Sequence, residues 1–138
     1  MAEYAQTNSF MVMIDGVPIG CFTKVDGIKA EYEVESYVEG GQNNFVHKLP
    51  GRTKYNDVTL TRSVNAETAG LMTWFESYKV MVKRCTGRIV AQDSSGETVM
   101  VWNLTGIFPV SWSVSPMDAS GNAVLTETLV LSHEGFLP

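Results

Sequence analysis

The stretch from Glu31 to Arg62 restricts the fold more than any other part of the chain. Its opening, Glu31-Tyr32-Glu33-Val34-Glu35-Ser36-Tyr37-Val38, alternates polar and apolar residues, and so does its close, Asn56-Asp57-Val58-Thr59-Leu60-Thr61-Arg62. Period-two alternation is the mark of a strand with two different faces. Residues 39–55 lie between, far more than the roughly two to five residues of an ordinary hairpin turn. They keep Phe45, Val46, Leu49 and Tyr55, an apolar content that disfavours a disordered linker. The whole, residues 28–62, reads as one long hairpin whose tip leaves its domain to touch something else.

The chain has 138 residues, 44% hydrophobic and 18% charged, enough for one globular domain with a substantial core. No apolar run approaches the ~20 residues of a membrane helix, so no membrane insertion is expected. The first residues lack the basic start and apolar block of a signal peptide, which implies assembly in a cytoplasm. Cys21 and Cys85 fit no zinc or redox spacing and read as free thiols packed like small apolar groups. A net charge of −5, spread along the chain, argues against affinity for nucleic acid.

Further strands are expected at 9–14, 19–25, 88–92, 97–104, 107–114 and 124–133, with Pro109 marking an edge or a bulge. One helix is expected at about 66–80. Asn65 is placed to cap it, Glu67 sits in its first turn, and Leu71, Trp74, Phe75 and Tyr78 recur at helical spacing. Together these predict a mainly β fold: an antiparallel β-barrel or sandwich of about eight strands, one α-helix and a long protruding β-hairpin, all in a single domain over 1–138.

Catalytic chemistry finds no support. His47 and His133 lack a second ligand at metal-binding spacing, and no nucleophile elbow or phosphate loop is present. No enzyme, metal or cofactor is expected. Glu31, Glu33 and Glu35 share one strand face, either a solvated sheet surface or the wall of a wet channel. Tyr32 and Val34 share the other and suit a dry core. On the second arm Val58 and Leu60 suit the core, leaving Asp57, Thr59 and Thr61 opposite. Trp102 and Trp112 leave a second reading open, a small β-barrel ligand-binding protein with these two rings at its pocket.

Several short motifs then carry a resemblance. They are Phe10-x-Val12-x-Ile14-Asp15-Gly16 with Ile19-Gly20-x-Phe22, Tyr37-x-Glu39-Gly40-Gly41-x-Asn43, and Lys48-Leu49-Pro50-Gly51. Val58-Thr59-Leu60-Thr61-Arg62, Leu71-x-x-Trp74, Phe108-Pro109 and His133-Glu134-Gly135 continue the series. In this order the chain resembles the inner tube proteins of contractile phage tails and extracellular contractile injection systems. The resemblance implies a structural subunit that forms hexameric rings stacked into a tube. Sheets from six subunits would join around a channel through which DNA or protein cargo passes without specific binding. It implies sheath, baseplate and terminator proteins as partners, and a final location in a virion tail or injection particle. The ring-stacking element would be the hairpin tip: Glu39, Gly40, Gly41, Asn43, His47, Lys48, Leu49, Pro50 and Gly51. The lumen would be lined by Glu31, Glu33, Glu35, Asp57, Thr59 and Thr61, an acidic wall repelling phosphates. The helix would present Glu67, Thr68, Glu76 and Lys79 to the sheath.

Overall fold

A computed structural model of the chain describes residues 9–37, 47–80, 83–117, 119–121 and 124–137. Within them lie the strands β1 (Ser9–Ile14), β2 (Val17–Phe22), β3 (Lys24–Asp26), β4 (Ala30–Tyr37), β5 (His47–Tyr55) and β6 (Val58–Ser63). The helix α1 (Thr68–Ser77) follows, then β7 (Cys85–Gln92), β8 (Thr98–Val114), β9 (Thr126–Ser132) and β10 (Gly135–Leu137). Eight strands form one antiparallel sheet in the order β2-β1-β7-β8-β9-β6-β3, with β10 beside β8, and β4 and β5 form a separate pair.

The large sheet bends into two layers around one core, and β8 belongs to both. Its first part, Thr98 to Ile107, pairs with β7, and its second, Phe108 to Val114, pairs with β9. The register slips between Pro109 and Ser111, so the proline does mark a bulge. At the other end β2 passes into β3 through Thr23 alone, yet β2 pairs with β1 and β3 with β6. The sheet thus curls on itself without closing into a barrel. Period-two alternation turns Val12, Ile14, Phe22, Ile89 and Leu104 inward from one layer, and Val58, Leu60, Leu129 and Leu131 from the other, into a single cluster. Each such side chain contributes about 1.5–3 kcal/mol on burial.

Helix α1 packs on this core through Leu71, Trp74, Phe75 and Tyr78, as its spacing predicts. It is shorter at both ends than expected. Asn65 Oδ1 accepts the Glu67 amide at 2.8 Å just ahead of the first turn, and the last turn tightens into i→i+3 bonds from Lys79 and Val80. Of the two thiols only Cys85 is buried; Cys21 is exposed on β2, because its neighbours Gly20 and Phe22 occupy the inward phase.

The long hairpin is present, with a corrected register. Lys24, Val25 and Asp26 face Thr61, Leu60 and Thr59. After a break at residues 27–29 and 56–57 the same two arms resume without a slip, Ala30 opposite Tyr55 and Glu31 opposite Lys54. So the Glu31 arm pairs not with residues 56–62 but with 47–55, the stretch read from sequence as connection. Lys48, Leu49, Pro50 and Gly51 are strand rather than loop. A local pattern of Lys-Leu-Pro-Gly carries no strand signal, and a proline is tolerated here because β5 pairs on one side only and a bulge adjoins it.

The break also resets the alternation. Val58 and Leu60 point into the core, and Tyr55, an odd step away, turns to the same side and meets His133 at a tilt and Phe136 edge to face, each with ring centroids 5.5 Å apart. Val25 and Ile28, both packed on the core, show the same odd step on the other arm. The His133 Nε2 lies 3.0 Å from the Asn56 carbonyl oxygen and ties the break to the body.

Candidate assembly interface

Beyond the break the ribbon runs past the end of the protomer's own core. Glu31, Glu33 and Glu35 share one face with Lys54, Tyr32 and Val34 share the other with Thr53 and Pro50, and both faces are open to solvent. Tyr32 is 67% exposed and Val34 62%, so neither enters the dry core expected for them. The two faces alternate as expected, but none of the described residues lies beneath the apolar one.

The acidic face is not uniformly acidic. Lys29 pairs with Glu31, Lys54 Nζ lies 3.9 Å from Glu33, and Arg52 occupies a bulge opposite Glu33. Lys29 holds the Glu31 carboxyl below the usual range through its hydrogen bond and charge. Cross-strand pairing therefore offsets the wall of like charge expected from Glu31, Glu33 and Glu35 alone. Thr59 and Thr61 lie opposite Asp26 and Lys24 on the face of β6 away from the core, and Asp57 is exposed at the break. Of the expected tip, Glu39, Gly40, Gly41 and Asn43 lie outside the described residues; His47 opens β5.

The helix surface departs from expectation at its start. Thr68 Oγ1 donates to the buried carboxylate of Glu127 and so turns toward the body, whereas Glu67 stays half exposed with its Oε2 2.9 Å from Arg62 Nη1. Glu76 and Lys79 do face solvent, where they pair with each other at 2.6 Å.

Arg62 and Glu127 are a feature that composition conceals. Arg62 is 1% exposed and Glu127 0%. Arg62 Nε donates to Glu127 Oε2 at 3.0 Å, its Nη1 donates to the Ile19 carbonyl at 3.3 Å, and its guanidinium stacks 4.4 Å from the Phe22 ring centroid. Trp112 Nε1 donates to the other Glu127 oxygen at 2.9 Å. Burial pushes the Glu127 carboxyl up, but hydrogen bonds from Thr68, Trp112 and Arg62 and the Arg62 charge outweigh it and hold the group below its usual value. This network fastens β2, β6, β8, β9 and the start of α1 together. It also removes the pocket reading: Trp112 sits opposite Leu129 on one layer, while Trp102 sits opposite Ile89 on the other.

No group of three or more His, Cys, Asp or Glu side chains that could hold a metal ion occurs among the described residues. Open strand edges and an uncovered apolar ribbon face are the features of a part made for assembly.

Comparison with known proteins agrees. The family model of the T4-like virus tail tube protein gp19 matches residues 6–137. No curated relative matches the chain significantly. Among solved structures, it is similar to a chain of the PVC extracellular contractile injection system sheath/tube terminator in the extended state, at 25% identity and TM-score 0.82 over 99% of this chain and 98% of that one. A chain of the PVC sheath-tube complex in the extended state matches at 25% identity and TM-score 0.79, over 94% of this chain and 87% of that one. Hcp1 from Salmonella typhimurium shares the fold at 14% identity and TM-score 0.54, over 93% of this chain and 83% of that one. The chain belongs to the T4-like virus tail tube protein gp19 family.

Proposed function

We propose that the chain is the structural subunit of the inner tube of a contractile injection machine, closing into hexameric rings that stack around a cargo channel. The observation that carries this is the distal ribbon, a lone pair of strands with Tyr32 and Val34 uncovered on one face. An isolated two-stranded hairpin is at best marginal in water, so this one needs a neighbouring copy.

The open edges support the manner of closure. The second layer ends at β3 and β4 on one side and at residues 109–114 of β8 on the other, and neither edge has a further strand among the described residues. Pairing the first edge of one copy with the second edge of the next, head to tail around a ring, leaves no edge exposed to aggregation. The side of this layer away from the core, with Thr59, Thr61, Glu31, Glu33 and Glu35, then lines the channel. Its lysines and arginine balance its carboxylates, so a passing polymer of either sign meets neither a strong trap nor a strong barrier.

Sheath, baseplate and terminator proteins are the partners this reading implies, and the far end of the ribbon, with His47, Lys48, Leu49, Pro50 and Gly51 on β5, is its ring-stacking contact. Electron microscopy and gel filtration of the purified chain test it. Wild-type protein should form rings or tubes, and Val34→Glu should give a folded monomer. Wild-type protein that stays monomeric at high concentration contradicts the proposal.

A further inference from the structure

The first layer carries an apolar row on its outward side, with Met11 and Val101 half-buried and Val90 nearly buried between them. Cross-strand register lines up Cys21, Met11, Val90 and Val101 in one row across β2, β1, β7 and β8, on the side away from the core. Four strands at a spacing of ~4.8 Å make this row about 14 Å long. The row beside it holds Met13, Arg88, Asn103 and Leu137. These residues edge a cleft of about 250 Å³. Solvated sheet faces normally alternate to polar residues on this side. Here the outward phase of three adjacent strands is Met, Val and Val, and Val90 is only 9% exposed because Met11 and Val101 flank it.

Arg88 stands at the centre of the second row and is exposed. Its Nη2 lies 3.7 Å from Met13 Sδ, and no carboxylate pairs with it among the described residues. On the helix, by contrast, Glu76 and Lys79 already neutralise each other.

We infer that this sheet face, rather than helix α1, is the surface that receives the contractile sheath. The partner would be a sheath segment that lays aliphatic side chains over Met11, Val90 and Val101 and offers a carboxylate to Arg88. The inference rests on the tube reading: the two layers lie back to back on one core, so if the second lines the channel, the first faces outward. A guanidinium with no carboxylate partner among the described residues, rimming an apolar row, then supplies orientation, and the row supplies contact area. Such a segment would also be excluded from the channel side, whose charges are already matched.

Tubes assembled from this chain, mixed with the sheath subunit of its own particle and counted as bare or sheathed by electron microscopy, test the inference. Arg88→Glu and Met11→Gln are each expected to form tubes of normal diameter that stay bare. The double exchange Glu76→Lys with Lys79→Glu is expected to leave sheathing intact. Normal sheathing of the Arg88→Glu and Met11→Gln tubes overturns the inference, as does loss of sheathing confined to the helix variant. Failure of a variant that is folded by circular dichroism to form rings also overturns it, by putting the face between subunits. Failure of the wild-type chain to form tubes would instead refute the tube reading on which the inference rests.

Discussion

Gly27 lies so close to Asp57 that a Cβ built on it would stand 2.1 Å from the Asp57 carbonyl oxygen. The contact is backbone against side-chain space, so neither partner can step aside. Gly27 also has φ +91, a conformation that side chains disfavour. These two residues sit where the ribbon breaks and its alternation resets, so they set the angle at which β4 and β5 leave the body. Gly27→Ala should cost about 1–3 kcal/mol in strain and redirect the ribbon. Its melting temperature should fall by several degrees, and it should lose ring formation even where it remains folded. A Gly27→Ala protein that forms normal tubes would show that the joint tolerates a side chain.

Glu127 should be the most sensitive single carboxylate in the fold. Glu127→Ala leaves Arg62 as a buried charge without its main partner, a loss of about 3–5 kcal/mol. Chemical denaturation of the protomer measures it. The pH dependence follows the same pair. The Glu127 carboxyl is held below its ordinary value in the fold. Its contribution is therefore complete above the unfolded value, about 4.3, and is lost as pH falls through the lower folded value. Wild-type stability should drop across that acid range more steeply than that of Glu127→Gln.

Gly20 guards the same network from the other side. A Cβ there would stand 2.0 Å from Glu67 Oε2 and 2.3 Å from Arg62 Nη1. The Glu67 side chain can swing away, but the buried guanidinium cannot. Gly20→Ala should thus break the Arg62–Glu67 contact and press on the buried Arg62 from a φ of +129 that side chains disfavour, seen as faster amide exchange at residues 67–71 and a lower melting temperature.

The two ribbon faces should separate folding from assembly. Glu31, Glu33 and Glu35 are exposed, so changing all three to glutamine should leave protomer stability nearly unchanged. It should leave Lys29, Arg52 and Lys54 in excess on that face and make the channel attract polyanions. Passage or retention of fluorescent oligonucleotides in assembled tubes would detect this; unchanged retention would show that the face lies elsewhere.

Much of this was legible in the chain. Alternation located most strands, Pro109 marked an edge or a bulge and proves to be the bulge, and helical spacing gave the packing side of α1. The Glu31/Tyr32 division of faces was also readable, because each arm keeps its own period. Two things were not. The ribbon's second arm hid behind Lys48-Leu49-Pro50-Gly51, whose strand state depends on pairing with Val34 and Glu35 rather than on local preference. The Arg62–Glu127 pair was available but easily passed over. Arg62 follows Val58 and Leu60 in the inward phase, and Glu127 falls between Leu125 and Leu129 in the same phase. Opposite charges at core positions of two strands are the signal, and they face each other in the register. Exposure of Tyr32 and Val34 could not be read at all, since it depends on where the protomer's core ends.

A cryo-electron microscopy map of the assembled wild-type chain decides whether its open edges build a tube. Stacked six-fold rings are predicted, with β4 of one subunit hydrogen-bonded to residues 109–114 of the next and Tyr32 and Val34 covered by a neighbouring copy. Particles that remain single protomers, or rings in which those edges stay unpaired and Tyr32 and Val34 stay in solvent, would contradict it.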